Sequence, residues 1–234
     1  MKELADNLND QFAQSGPEEI IAYFLEHYQG KVAFSTGLGA EDQVITQMIA
    51  NTPRDAFIFT LDTGRLFQET YDLIHITEAR YGMKIHAFFP EREKVEKMVD
   101  ENGINLFYES VENRKLCCQI RKTDSLKRAL IEKDVWISGL RREQSLNRRD
   151  TRLVDWDNQY RLFKVNPLAA WTNEMVWNYI HLHRAPYNQL HDRGFTSIGC
   201  LPCTRAVEPG EDPRAGRWWW EMDGYKECGL HLQE

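Results

Sequence analysis

The chain has 234 residues, 42% of them hydrophobic and 28% charged, with a formal net charge of −7. That suffices for one generous α/β domain or two small ones with a substantial core, and it weighs against a disordered or fibrous chain and against a broad nucleic-acid surface. No apolar run approaches the roughly 20 residues that span a bilayer, and the polar, acidic Met1–Asp10 reads as neither signal nor transit peptide, so a cytoplasmic protein is expected.

In chain order, Ser15-Gly16-Pro17 opens a packing helix over 18–28. A short apolar strand at 31–35 runs into the turn Thr36-Gly37-Leu38-Gly39-Ala40 and an amphipathic helix over 41–50. A second strand at 56–61 ends in Asp62-Thr63-Gly64-Arg65-Leu66, a helix follows over about 67–81, and a third strand lies at 84–89. This succession predicts a doubly wound, mainly parallel sheet with helices on both faces. Ligands are then expected at the carboxyl ends of the strands, where the polar turns 35–40 and 62–66 lie. Residues 91–131 read as helical, and 134–139 as a strand. That strand opens into a loop with five arginines in twelve residues, Arg141, Arg142, Arg148, Arg149 and Arg152, a local positive field in an acidic chain. A helix over about 172–183 has Thr172 and Asn173 as candidate caps. Residues 1–207 thus form the α/β part. Residues 208–234 read as a mobile C-terminal tail, rich at first in Pro, Gly and charge, with Trp218-Trp219-Trp220 as its anchor.

Five cysteines carry the chemistry. In a reducing compartment, metal binding or catalysis is favoured over disulfides. Cys117-Cys118 and Cys200-x-x-Cys203 offer four thiolates, enough for tetrahedral zinc or an iron–sulfur cluster. Adjacent cysteines strain a single-ion site but can reach different irons, which favours a 4Fe–4S cluster. A thioredoxin-like redox pair is disfavoured, because the Cys-x-x-Cys comes late and follows Ser197-Ile198-Gly199. Cys228, three residues before His231, is a candidate nucleophile, since a nearby imidazole or cation lowers a thiol pKa. The βα turn Ser35–Gly39 suits an anion at a helix N-terminus, although it is neither a Walker loop nor a Rossmann fingerprint.

Seven blocks in order resemble the assimilatory adenosine 5′-phosphosulfate (APS) reductases of the sulfonucleotide (APS/PAPS) reductase family. They are Phe34–Asp42, Thr60–Leu66, Cys117–Lys122, Gly139–Arg142, Ile198–Arg205, Gly216–Trp220 and Glu227–His231. The resemblance implies an adenine nucleotide alpha hydrolase-like fold and a 4Fe–4S cluster on Cys117, Cys118, Cys200 and Cys203. It implies APS as substrate, thioredoxin or glutaredoxin as reductant, and Cys228 as the nucleophile that becomes a Cys–S-sulfonate while AMP leaves. By match to the family's motifs, Ser35, Thr36, Leu61, Lys122, Gly139, Arg149, Arg214, Arg217 and His231 are the substrate-binding residues. The resemblance also admits a homo-oligomer and includes no nucleic-acid or membrane partner. Two rival readings are a PAPS or dual-specificity reductase and a non-enzymatic, zinc-stapled nucleotide-binding module. An ATP-pyrophosphatase-type ligase is a third, from whose Ser-Gly-Gly-x-Asp-Ser loop Ser35–Gly39 departs.

Overall fold

Strand β1 (Val32–Ser35) is almost wholly buried, as a run of consecutive apolar residues in a central parallel strand requires. It pairs in parallel with β2 (Phe57–Leu61) on one side and β4 (Val135–Ile137) on the other. The computed structural model describes residues 1–221; Cys228 and His231 lie outside the described residues. Strands β3 (His86–Phe88), β5 (Val154–Asp157) and β6 (Leu162–Val165) complete a six-stranded sheet of order β3-β2-β1-β4-β6-β5. β6 runs parallel to β4, and β5 runs antiparallel to β6.

The chain divides into two units, one of Met1–Thr60, Glu69–His86 and Glu132–Gln189, the other of Leu61–Gln68, Ala87–Ile131 and the described part of Leu190–Glu234. The first unit holds α1 (Lys2–Gln11), α2 (Pro17–His27), α3 (Ala40–Ala50), nearly all of α4 (Gln68–Tyr81) and, in chain order beyond the second unit's helices, α8 (Asn173–His183). Pro17 occupies the first turn of α2, where its missing N–H costs nothing, and Glu18 and Glu19 favour the positive helix end. Thr172 caps α8 by accepting from Met175 N at 3.2 Å. Phe34, Val44, Ile45, Met48, Ile137, Phe163, Val165 and Ile180 form its core.

Two features of this unit escape the sequence reading. The Asn9 side chain in α1 donates to Val154 O at 2.6 Å and accepts from Val154 N at 3.2 Å, so it satisfies the backbone of edge strand β5. The β5–β6 hairpin is hidden because Asp155 and Asp157 interrupt its apolar pattern, yet Trp156 packs edge-on to Phe163 at 5.2 Å between ring centroids.

The second unit holds α5 (Arg92–Asn102), α6 (Val111–Cys118) and α7 (Asp124–Ala129). Residues 91–131, expected to be helical, are so in pieces. Ser110 starts α6 by accepting from Asn113 N at 3.1 Å, and Gln119–Thr123 form a π-helical turn between α6 and α7. Its small core joins Met98, Leu106, Phe107 and Trp218 to three of the cysteines. The start of the expected tail is fastened down: Arg205 pairs with Glu211 at 2.8 Å, Thr204 bridges to Arg217, and Trp218 is fully buried while Trp219 is exposed. No helix among the described residues is long and apolar enough to cross a membrane.

Candidate functional site

In the first unit the strand order turns outward in both directions from β1 and β4, the place where open α/β sheets receive ligands. Ser35, Thr36 and Gly139 stand at the carboxyl ends of these two strands. Ser35 Oγ accepts from Trp136 Nε1 at 2.7 Å, and Thr36 N donates to Phe59 O at 2.8 Å.

The loop between β1 and α3 is not an open anion cradle. Asp42 Oδ2 accepts from Gly37 N at 2.7 Å and Gly39 N at 3.4 Å, and Leu38 N donates to Thr36 Oγ1 at 3.1 Å. A carboxylate from the chain itself thus takes the donors that the sequence pattern offers to an outside anion. Burial pushes the Asp42 carboxyl up to about 7, against the two backbone donors that lower it. Gly139 lies against the same carboxylate, so a Cβ there would have to displace Asp42 Oδ1.

The arginine loop is also less free than its composition implies. Arg141 is buried and pairs with Glu41 at 2.7 Å and Glu143 at 3.1 Å; Arg142 Nε donates to Thr151 O at 2.9 Å; Arg152 pairs with Asp6. These arginines hold the loop in shape, whereas Arg149 is exposed.

The second unit brings Cys117, Cys118, Cys200 and Cys203 together in the lining of one cavity, with about 370 Å³ of empty space, its open mouth included. Lys122, Arg65, Arg121, Arg217 and Trp218 share that lining. Among the described residues, no group of three or more His, Cys, Asp or Glu is placed to hold a metal ion. All four thiols are reduced and buried.

Each wall has a local cause. Asp62 Oδ1 accepts from Gly64 N at 2.8 Å, which turns the chain after β2 so that Arg65 O accepts from Leu201 N at 2.8 Å and Thr63 Oγ1 lies 3.3 Å from Cys200 Sγ. The π-helical turn gains one residue per turn just after Cys118 and re-aims Arg121, whose Nη1 donates to Thr63 O at 2.7 Å. Gly199 makes room for the Arg217 guanidinium, which would lie 2.3 Å from a Cβ there. Gly199→Ala is expected to cost about 1–2 kcal/mol, read as a lowered urea midpoint.

Burial by itself raises a thiol pKa. At Cys200 the charge of Lys122, the Thr63 hydroxyl, Arg217 and Arg121 together outweigh it, and the pKa is lowered. Cys117 is raised by burial, and Cys203 is pushed up to about 12 by burial and then by the charge on Cys200. One thiolate is favoured and the next are suppressed, so four thiolates require a positively charged guest. Three residues of the lining also carry a buried N–H without an acceptor: Arg121 Nε, Arg217 Nε and Trp218 Nε1. Sulfur-rich anionic surface would satisfy such donors, so the residues present fit a cluster whose iron would bind the thiolates and whose sulfur would accept these hydrogen bonds.

Of the expected substrate-binding residues, Ser35, Thr36, Gly139 and Arg149 belong to the first unit, and Leu61, Lys122, Arg214 and Arg217 to the second. Arg214 Nη1 lies 3.5 Å from Ser197 Oγ, and Leu61 ends β2. Asp42, Thr63, Arg121 and Trp218 are further residues that reading for nucleophiles and cysteine spacing does not single out. For Asp42, Thr63 and Arg121 only the block positions containing them carry a signal, whereas Trp218 reads as an anchor of the tail and not as part of a site.

The phosphoadenosine phosphosulfate reductase domain matches residues 31–206. Over 203 residues the chain is 49% identical to the adenosine 5′-phosphosulfate reductase of Allochromatium vinosum, covering 87% of this chain and 79% of that protein. Among solved structures, the phosphoadenylyl-sulfate (PAPS) reductase of Candida auris, a phosphate complex, matches at a TM-score of 0.74 and 27% identity over 88% of this chain and 98% of that one. The Candida glabrata FMN adenylyltransferase, with FAD and inorganic pyrophosphate, matches at 0.57 and 16% over 100% of this chain and 85% of that one, a likeness of fold alone.

Proposed function

This chain belongs to the phosphoadenosine phosphosulfate reductase family, and we propose that within it the chain reduces adenosine 5′-phosphosulfate to sulfite and AMP in sulfate assimilation. It is an oxidoreductase acting on a sulfur group. The observation that carries this reading is the set of four cysteines lining one cation-rich cavity, in a chain 49% identical to a protein named for APS reduction.

The Cys228 thiolate attacks the sulfur of the phosphosulfate. An S–S bond forms, the S–O bond to the phosphate breaks, and AMP leaves with the electron pair. A thiolate of thioredoxin or glutaredoxin then attacks Sγ of Cys228 and releases sulfite. Its second thiol resolves the mixed disulfide, so the two electrons come from the dithiol and cytosolic reducing conditions suit the cycle. Attack by an anion on an anion needs positive charge fixed beforehand, the part assigned to Lys122, Arg214, Arg217 and His231. Ser35, Thr36, Leu61, Gly139 and Arg149 are assigned to the nucleotide.

Cys117, Cys118, Cys200 and Cys203 would hold a 4Fe–4S cluster, supported by their shared cavity and the unpaired donors of Arg121, Arg217 and Trp218. Bound there, the cluster supplies a fixed charged group beside Lys122. Anaerobic protein is then brown and binds iron and sulfide; colourless protein with stoichiometric zinc overturns the cluster.

Intact-mass measurement after incubation with APS and no reductant tests the reaction. One sulfonate is expected on Cys228, none on Cys228→Ser, and the variant's sulfite production falls by at least about 10³-fold. Unmodified wild-type Cys228 overturns the mechanism. Competition of APS with PAPS on kcat/KM tests the substrate.

A further inference from the structure

Four residues before Cys118, on α6, the Arg114 side chain is fully buried. Its Nε donates to Glu221 Oε1 at 2.8 Å and its Nη2 to Glu221 Oε2 at 3.1 Å, a bidentate pair whose two side chains are 1% and 6% exposed. The same guanidinium lies 4.6 Å from the centre of the Trp218 ring and hydrogen-bonds the Cys118 side chain. Glu221 is itself tied back, its N donating to Trp218 O at 3.0 Å, and Trp218 N donates to Cys203 O at 3.3 Å.

A buried ion pair is a poor source of stability, because desolvation offsets most of its Coulombic gain and an apolar pair of equal volume does as well. It fixes geometry strongly, however. Two parallel N–H···O bonds leave little freedom in either side chain. Here one end of the pair is bonded to a cysteine of the cavity, and the other is seven residues before Cys228.

We propose that Arg114 and Glu221 are positioning residues for this reaction: Glu221 orients Arg114, and Arg114 orients the Cys118 sulfur. This inference rests on the assignment of Cys228 as nucleophile and of Cys118 as a cluster ligand. Glu221→Gln keeps the volume and one acceptor but removes the charge and the bidentate grip.

The test uses full-length, anaerobically purified wild type and Glu221→Gln. It times the appearance of the Cys228 sulfonate by quenched intact mass and follows loss of the visible chromophore to an iron chelator. The sulfonation rate at saturating APS is expected to fall roughly 10- to 100-fold, with half-saturation by APS changed less than about threefold. The variant's chromophore is expected to bleach faster. A lower melting temperature with a wild-type saturated rate marks a merely structural pair and overturns the proposal, as does wild-type behaviour throughout. Should Glu221→Gln fail to fold, Arg114→Met with Glu221→Met refills the site without charge, and a wild-type sulfonation rate in that double variant overturns the proposal. A wild type without adduct overturns the Cys228 assignment and this inference with it; equal adduct formation in wild type and variant overturns this inference alone.

Discussion

Trp218→Ala is expected to lower the unfolding free energy by about 3–5 kcal/mol, the largest stability loss of any single substitution considered. The indole is 1% exposed and two guanidiniums lie against it, Arg114 at 4.6 Å and Arg217 at 4.7 Å from the ring centre. Truncation leaves a void where the second unit's small core meets the cysteines, removes two cation–π contacts each worth about 0.5–2 kcal/mol, and leaves two buried arginines facing the gap. Trp218 also adopts a left-handed backbone at φ +44°, and its carbonyl accepts from Glu221 N at 3.0 Å. Urea denaturation of Trp218→Ala and Trp218→Phe tests how much of the effect the stacked ring carries. The phenylalanine variant keeps most of the stack and is expected to lose less than half as much. Equal losses in the two variants would overturn the stacked ring as the source of the effect.

Between pH 5 and pH 8 the fold is expected to lose about 2–3 kcal/mol through Asp42 alone. The Asp42 carboxyl titrates near 7 in the folded chain against 3.8 for the free side chain, chiefly because it is enclosed. The folded state therefore holds this proton more tightly than the unfolded state does. The stabilisation is complete below the unfolded pKa and is lost as the pH rises through about 7. Above that, the ionised carboxylate remains enclosed with Gly37 N and Gly39 N as its backbone donors and Glu41 adding repulsion. Asp42→Asn keeps the size, removes the titration and flattens this part of the profile. The difference between the wild-type and variant urea curves at each pH isolates this one group. Parallel profiles would place the Asp42 pKa at its ordinary value.

Both effects come from residues inside blocks that the sequence marks, yet their roles come from contacts across long stretches of chain. Asp42 falls within Phe34–Asp42, where glycine spacing suggests an anion-binding turn. That Asp42 itself supplies the anion depends on its place as the third residue of α3, from which its side chain reaches back to Gly37 N and Gly39 N. The arginine run from 141 to 152 reads as a positive field by count, but the partners Glu41 and Asp6 are 100 and 146 residues away. Charge counted along the chain cannot register a neutraliser that folding brings from elsewhere. The β5–β6 hairpin escapes notice because its half-exposed faces carry aspartates, so its pattern lacks the continuous apolar run of β1 and β4.

The sequence by itself determined the alternation of strands and helices, the turns at the strand ends and the division of the cysteines into two pairs and Cys228. These depend on local propensity, hydrophobic period and residue spacing, which the chain states directly. Only the tertiary structure decided that the two cysteine pairs share one cavity, that Arg121, Arg217 and Trp218 bring unpaired N–H groups to its lining, and that Arg114 reaches Glu221 across 107 positions. Such contacts arise when packing closes long loops. Their energies depend on burial and direction, which no residue carries alone.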